Sequence, residues 1–258
     1  ATKDKAVKDA TKLADLLQDL SKAPEHRYKA VTGYFITENE PTAEQRIAVD
    51  DISKKQRITI YAMSFVSMRK RLVDTEGYLQ LRRMAPFGSA GPTSIATNNA
   101  PDYVEPHFLR QGITDSLQGV LEKTQAGGHL VITGDYGAGK SEALKQLFER
   151  LRRAYFKHPV DERFPIHLNL RDLHGLRSPG EILRRHAEEI GFPGTDGLIA
   201  AWRSGSTHIL LDGFDELVPA RWVGGARDLR TIRWQALDPV RQLVHETPSG
   251  SGVVIAGR

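Results

Sequence analysis

The most restrictive feature of this sequence is a glycine-rich segment, GDYGAGKS, at residues 134–141. It follows a short apolar run, HLVIT at 129–133, and precedes a stretch from Ser141 to Phe156 in which apolar residues recur at helical spacing. The expected local structure is a strand that passes through a tight turn directly into a helix. The segment matches the pattern G-x-x-x-x-G-K-[ST], which in this setting cradles phosphate groups.

Each part of the segment has a chemical reason for its residue type. Gly134, Gly137 and Gly139 permit backbone angles and close approaches that a Cβ atom would block, so successive N–H groups can converge on phosphate oxygens. Lys140 would place its ammonium on the β- and γ-phosphates, and the Ser141 hydroxyl would coordinate Mg²⁺. We therefore predict that a nucleoside triphosphate and Mg²⁺ bind at Gly134, Asp135, Tyr136, Gly137, Ala138, Gly139, Lys140 and Ser141.

A second polar group, HILLDGFDEL at residues 208–217, follows another apolar run. The run ends at Asp212, and the carboxyl ends of parallel strands are where α/β sheets bind their ligands. We expect Asp212 to coordinate Mg²⁺ and either Asp215 or Glu216 to orient the water that attacks the γ-phosphate. An acidic loop that merely caps a helix is the alternative interpretation.

The residue at position 258 is an arginine that follows a further strand-like run, GVVIA at 252–256. An arginine at that place could approach the γ-phosphate and report its presence. From the residues alone, a solvent-exposed arginine at a strand end is an equally good interpretation of Arg258.

Short apolar runs typical of buried parallel strands recur through the second part of the chain. These runs are at residues 129–133, 165–170, 208–211 and 252–256, and they alternate with predicted helices at 141–156, 179–190, 197–203 and 230–245. Such alternation predicts the α/β class, with a parallel sheet and helices on both of its faces, as in P-loop NTPases.

Changes in pattern divide the chain into three predicted regions. Residues 1–85 alternate between helix and strand patterns and indicate a small α/β domain, which begins so abruptly that we expect part of it upstream. Residues 86–107 are rich in Gly, Pro, Ser, Ala and Asn and lack periodicity, which is typical of a linker. Residues 108–258 would form the nucleotide-binding domain.

Within the first region, the residue patterns predict five elements. They are a helix at 7–20, strands at 30–36 and 57–65, a helix that opens at Thr42, and a helix at 69–83.

Composition and charge restrict the setting in which the protein works. The formal charge of +4 is too small to argue for nucleic acid as a partner, and the clustered arginines are expected to be solvated helix faces, with a polyanion-binding surface as the alternative. The chain has no cysteine, which excludes disulfides and cysteine-ligated zinc. No apolar run approaches the roughly 18 residues that a membrane span requires, so we predict a soluble, cytoplasmic protein.

Taken together, these motifs resemble a NACHT module, the nucleotide-binding part of STAND-type signalling ATPases. GDYGAGKS is similar to the phosphate loop of that family, and LLDGFDEL at 210–217 is similar to its acidic signature. PIHLNLRDL at 165–173 resembles the second strand, and GVVIAGR at 252–258 resembles the fourth strand with its sensor arginine. Ordinary AAA+ motors usually have Glu directly after the metal-binding Asp, whereas this chain has Gly213.

The resemblance implies a function as well as a fold. Members of the family bind ATP with Mg²⁺, hydrolyse it slowly and self-associate on activation, and Arg258 would sense the γ-phosphate. We expect ATP and not GTP as the nucleotide, and this expectation depends on the family resemblance alone. The family's fifth strand, helical subdomains and ligand-sensing repeats would lie beyond Arg258, with an effector upstream; in bacterial members such modules serve in defence against phage.

The first region resembles the second half of a restriction-endonuclease-like fold, through YFITENEPTAEQR at 34–46 and RITIYAMSF at 57–65. Metal-dependent nucleases of this kind use a (D/E)-x-K pair. No lysine in this chain has an acid two positions before it. We therefore expect either an inactive scaffold or one whose catalytic half lies upstream.

Two other functions are compatible with a phosphate loop. One is a motor ATPase, similar to AAA+ proteins, that acts on nucleic acid, and its hydrolysis should be stimulated by a polymer. The other is a scaffold that recruits a partner while nucleotide is merely structural, and its partner binding should survive the loss of Lys140. The sequence lacks the interleaved aromatic and basic residues that suit a motor to a nucleic-acid strand, which favours the switch.

Overall fold

Residue contacts divide the chain into two units, Ala1–Arg71 and Leu72–Arg258. A computed structural model describes residues 3–26, 29–93, 104–110, 112–172, 176–217 and 237–258. Each unit has a hydrophobic core of its own.

The first unit is a small α/β layer. Its elements are α1 (Lys3–Lys22), β1 (Thr32–Thr37), α2 (Ala43–Gln56), β2 (Thr59–Ser64) and α3 (Phe65–Leu72), the last of which ends at the boundary of the unit. The two strands are parallel, with Tyr34 opposite Tyr61, and α2 is the crossover helix that a parallel pair requires. Ala10, Ala14 and Leu17 lie at helical spacing on one face of α1 and pack into the core.

The structure differs from the predicted helix over 69–83, which is two helices. The first is α3, and the second is α4 (Thr75–Met84). Asp74 separates them because its side chain accepts a hydrogen bond from the backbone N–H of Gly77 at 2.9 Å and caps α4. An aspartate at this position begins a new helix, since it satisfies an amide that has no partner within the helix.

The second unit is built on a parallel sheet of four strands. A short antiparallel pair, β3 (Phe108–Arg110) and β4 (Ile113–Asp115), precedes helix α5 (Leu117–Gln125). The sheet consists of β5 (His129–Thr133), β6 (Phe164–Asn169), β7 (Thr207–Asp212) and β8 (Val253–Gly257), in the order β5-β8-β7-β6. The helices that flank the sheet are α6 (Lys140–Lys157), α7 (Pro179–Glu189), α8 (Thr195–Arg203) and α9 (residues 237–246).

The mixed α/β class and the parallel sheet flanked by helices are therefore confirmed. All six residues of β7 are buried, as are the first five of β6, which explains why these strands are nearly continuous apolar runs in the sequence. The predicted helix at 230–245 is described from residue 237 onward, and residues 230–236 lie outside the described residues. The pair β3–β4 and helix α5 were not predicted.

The division between the units lies at Arg71, earlier than residue 85, where the composition of the sequence changes. Tyr78, Leu79 and Phe87 are buried in the core of the second unit, so α4 and the residues after it pack with the sheet. The composition of the segment after residue 85 does not reveal this packing, because a single buried aromatic such as Phe87 among small residues produces no periodicity. Residues 94–103 of the predicted linker lie outside the described residues.

In the part of the chain that the structure describes, no helix combines the length and the apolar character that a bilayer-spanning segment needs.

Candidate functional site

The glycine-rich loop of residues 134–141 connects β5 to α6 at the carboxyl edge of the sheet. Gly137 and Gly139 have φ angles of 79° and 77°, in the left-handed region that favours glycine. A Cβ at either position would meet no atom within 4 Å, so glycine is required there by backbone conformation alone. Gly134 has no such angle, and its Cβ would make only an ordinary 3.4 Å contact with Ala138; the expected steric need for glycine at 134 is therefore not found.

Lys140, at the start of α6, folds back over this loop. Its Nζ atom donates hydrogen bonds to the carbonyl oxygens of Gly134 at 2.7 Å and Asp135 at 2.9 Å. The next residue, Ser141, accepts a hydrogen bond from the hydroxyl of Ser89 at 3.1 Å. The loop is thus held in shape by its own lysine, and the ammonium lies beside the amino end of a helix, where anions bind favourably.

Asp212 ends β7 at the same edge of the sheet, and its side chain is only 5% exposed. Its pKa is raised, mainly by burial, while the Ser141 hydroxyl and the Lys140 ammonium oppose the shift. Its Oδ2 atom has no hydrogen-bond partner among the described residues. A buried carboxylate oxygen without a donor is uncommon and is relieved by a cation.

Asp215 and Glu216 lie on a short 3-10 turn, Phe214–Leu217, that follows Gly213 (φ 78°). The turn approaches the end of β8 so closely that a Cβ on Gly257 would overlap the ring of Phe214. A glycine at that strand end is therefore required for the two acids to reach the cavity.

Each of the two acids is paired with an arginine. Asp215 accepts a hydrogen bond from the backbone N–H of Arg258 at 3.1 Å, and its Oδ2 lies 3.4 Å from the Nε atom of the same residue. Glu216 forms an ion pair with Arg171, with 2.8 Å between Oε2 and Nε. The guanidinium of Arg258 also lies 5.3 Å from the ring centre of Tyr136. The arginine predicted to sense phosphate is therefore bonded to a predicted catalytic acid.

These side chains surround one cavity of about 310 Å³. Its walls are formed by Ser89, Ala90, Tyr136, Gly137, Ala138, Gly139, Lys140, Ser141, Glu142, Asp212, Gly213, Asp215, Glu216, Gly257 and Arg258. Of the residues predicted from the sequence, only Gly134 and Asp135 do not line the cavity, and their carbonyl oxygens hold Lys140 instead. The register of the sheet explains the convergence, since Asp212 and Ile132 both pair with Ala256, and the next residue of β5, Thr133, is the last before the loop.

The donors present suit Mg²⁺. Ser141 and Asp212 offer a hydroxyl and a carboxylate oxygen, both hard ligands, and the unpartnered Oδ2 of Asp212 is an independent sign that a cation belongs there. Within the described ranges, no group of three or more His, Asp or Glu side chains forms a metal cage. That is compatible with Mg²⁺, which usually keeps several waters and takes further oxygens from the phosphates of its substrate.

Sequence reasoning missed Ser89, Ala90, Asn169 and Arg171, which lie at or beside this site, as well as the lining residues Glu142, Gly213 and Gly257. Ser89 and Ala90 belong to a segment predicted to be a linker, and nothing in its composition points to a site. Asn169 ends β6 in the same row as Asp212, so a polar residue at the end of a buried strand was an available signal. Arg171 lies two positions after Asn169, so its closeness to the end of a buried strand was also visible in the sequence.

Neither the models of known protein families nor the curated proteins match this chain. The resemblance to NACHT modules therefore stays a prediction that depends on the motifs and on their geometry.

Proposed function

We propose that the second unit binds ATP with Mg²⁺ at the carboxyl edge of its sheet, as a P-loop NTPase of NACHT type, and acts as a nucleotide-gated assembly switch. One observation carries the proposal: the glycine-rich loop, the buried Asp212, two further acids and Arg258 line the same cavity, although they come from distant parts of the sequence. A chance match to the loop pattern would not bring these partners together.

The residues of the cavity divide the work of binding between them. The backbone N–H groups of residues 137–141 and the amino end of α6 would receive the phosphates. Lys140 would exchange the carbonyl oxygens of Gly134 and Asp135 for β- and γ-phosphate oxygens, which are stronger acceptors because they are charged. Ser141 and Asp212 would hold Mg²⁺, whose charge offsets that of the β- and γ-phosphates.

Hydrolysis would depend on Asp215 or Glu216, one of which must orient the attacking water and accept its proton. Both carboxylates are paired with arginines. A carboxylate whose oxygens are engaged by a guanidinium must be released from it before it can orient a water. This arrangement supports slow turnover, which suits a switch better than a motor.

Arg258 provides a route from the γ-phosphate to the protein. A γ-phosphate would compete with Asp215 for the guanidinium of Arg258, whereas ADP would leave the pair intact. A ligand can shift a conformational equilibrium only through such differential contacts. The exchange of partners at Arg258 is the differential contact that we propose.

The first test is calorimetric titration of the protein with a non-hydrolysable ATP analogue and Mg²⁺. We expect Lys140→Ala to weaken binding by about 100-fold or more, because it removes a charged group that contacts the phosphates directly. Lys157→Ala, an exposed lysine at the other end of the same helix, is the matched control and should bind like the wild type. GTP should bind more weakly than ATP. Equal affinity of Lys140→Ala and the wild type would show that the site is assigned wrongly.

A further inference from the structure

A tight turn, Phe87–Ala90, lies directly over the oxygens that would hold the metal. Phe87 and Ala90 exchange backbone hydrogen bonds, at 2.9 Å from the N–H of Phe87 and 2.8 Å from that of Ala90. Gly88 has a φ of 54°, in the left-handed region that such a turn requires. At its tip, the Ser89 hydroxyl donates to the Ser141 hydroxyl at 3.1 Å. The predicted metal ligand Ser141 is thus bonded to the turn.

Gly88 fills the space in front of Asp212. A Cβ on Gly88 would overlap Oδ2 of Asp212 and would lie 3.0 Å from Oγ of Ser141. The Cα of Gly88 is one bond length, about 1.5 Å, from that point. The backbone of Gly88 therefore crowds the space beside the carboxylate and the hydroxyl, where a cation and its waters would lie.

The base of the turn is anchored firmly. Phe87 is fully buried, with its ring centre 5.1 Å from that of Phe148 and 4.8 Å from that of His167. The guanidinium of Arg82 lies 4.0 Å from the ring centre of Phe87 and donates to the carbonyl oxygens of Ala85 and Pro86, both within 3.1 Å. Movement at this end would disrupt the core of the second unit.

The tip of the turn is held much more weakly. Gly88 and Ser89 are exposed. Besides the bond from Ser89 to Ser141, the tip is held by Asn169, whose Oδ1 accepts from the N–H of Gly88 at 2.8 Å and whose Nδ2 donates to the carbonyl oxygen of Pro86 at 3.2 Å. A movement that breaks these few bonds would open the space before Asp212 and leave the buried base in place.

We propose that the Phe87–Ala90 turn is a cover over the metal subsite, and that its tip must lift from Ser141 and Asp212 before Mg²⁺ and ATP bind together. The inference rests on the proposed function, to which it adds a regulatory step. A turn that contributed a ligand to the metal would present an oxygen to the space before Asp212. Ser89 brings its hydroxyl to Ser141, but the part of the turn that faces Asp212 is the backbone carbon of Gly88, so the observations favour a cover.

Two variants release the tip without altering the residues that are proposed to hold the phosphates or Mg²⁺. Ser89→Ala removes the hydroxyl that is bonded to Ser141, and Asn169→Ala removes both bonds from Asn169. Each lost hydrogen bond changes an equilibrium by about three- to tenfold. We expect Ser89→Ala to bind the ATP analogue with Mg²⁺ about three- to tenfold more tightly than the wild type, and Asn169→Ala, which loses two bonds, to gain at least as much. When EDTA removes the metal, both variants should bind the analogue with the affinity of the wild type.

Ser204→Ala is the matched control, because Ser204 is an exposed serine of the same unit whose hydroxyl is bonded to that of Ser206 at 2.9 Å. Its affinity should equal that of the wild type. Hydrogen exchange of the unliganded protein gives a second measurement that does not require nucleotide. The amides of Gly88 and Ala90 should exchange faster in Asn169→Ala than in the wild type.

The outcomes separate this inference from the function on which it rests. If the wild type binds and Lys140→Ala does not, the nucleotide site of the proposed function stands. Unchanged or weaker binding by both Ser89→Ala and Asn169→Ala would then overturn the cover. If the variants gained as much affinity in EDTA as with Mg²⁺, the cover would also be overturned, because the turn would then hinder the nucleotide and not the metal. If neither the wild type nor the released variants bind, the proposed function itself fails.

Discussion

Asp212 is held in an environment that disfavours its charge. The carboxylate is buried, its pKa is raised, and one oxygen lacks a donor. Lys140 and Ser141 offset part of this cost. A divalent cation would stabilise the ionised form far more strongly than either of them, because it adds two charges at coordination distance. The environment of Asp212 therefore suits a carboxylate that is bound to a metal ion better than one that has no metal beside it.

Asp215 and Glu216 are the residues on which hydrolysis should depend. We expect Asp215→Ala or Glu216→Ala to bind the ATP analogue within a few-fold of the wild type, since neither acid is needed to hold phosphate. The variant that lacks the water-orienting acid should hydrolyse ATP about 100-fold or more slowly, as measured by phosphate release. Asp196→Ala, an exposed carboxylate elsewhere in the unit, is the control. Wild-type turnover by both Asp215→Ala and Glu216→Ala would exclude these acids from the reaction.

Among the elements, helix α4 and strand β7 illustrate how burial controls ionisable groups in the second unit. Tyr78 of α4 and His186 of α7 are hydrogen-bonded at 3.0 Å between Oη and Nε2, and burial lowers the pKa of His186 to about 3. His208 of β7 accepts from the N–H of Gly252 at 2.9 Å, and burial lowers its pKa to about 4. Both imidazoles are neutral in the folded unit, so acid should destabilise it.

The direction in which stability changes with pH, and the pH range of the change, follow from proton linkage. An unfolded histidine has a pKa of about 6.5, so below that pH the unfolded state binds more protons, and stability falls as the pH is lowered. For His186 and His208 together, the loss between pH 6.5 and 5 is about 3 kcal/mol. Urea denaturation at several pH values would measure it.

Two variants test whether His208 contributes to this pH dependence of stability. His208→Asn keeps an acceptor for Gly252 but does not titrate, so it should reduce the dependence by about 1.4 kcal/mol per pH unit. His158→Asn, at an exposed position, should leave the dependence unchanged. An unaltered slope in His208→Asn would contradict the argument.

The elements also differ in how far the sequence predicts them. Strands β6 and β7 and helix α6 were predicted because burial on both faces of a sheet, or on one face of a helix, leaves a regular pattern. The break at Asp74 and the Phe87–Ala90 turn were not, because each depends on one or two side-chain contacts. Likewise, the loop and Asp212 were predicted from motifs, whereas the pairing of Glu216 with Arg171 is a contact that only the folded chain reveals.

On the scale of the whole molecule, the proposed switch requires that nucleotide alter the association of the chain with itself. We expect light scattering after gel filtration to show a larger mass with the ATP analogue and Mg²⁺ than with ADP, because only a γ-phosphate would take Arg258 from Asp215. Lys140→Ala should keep one mass under all conditions, and Lys157→Ala should respond like the wild type. If the mass never changes while hydrolysis rises on addition of nucleic acid, the motor replaces the switch as the better proposal.

The strand order has a consequence for how the site is made. β8 pairs with β5 on one side and β7 on the other, so residue 253 lies opposite residue 129. During synthesis, which adds about 5–20 residues per second, the loop is made about 6–22 seconds before the strand that joins the two motifs, and Asp212 about 2–8 seconds before it. Contacts between such distant residues also slow folding. A newly made chain therefore passes through a period in which both motifs exist and the cavity between them does not.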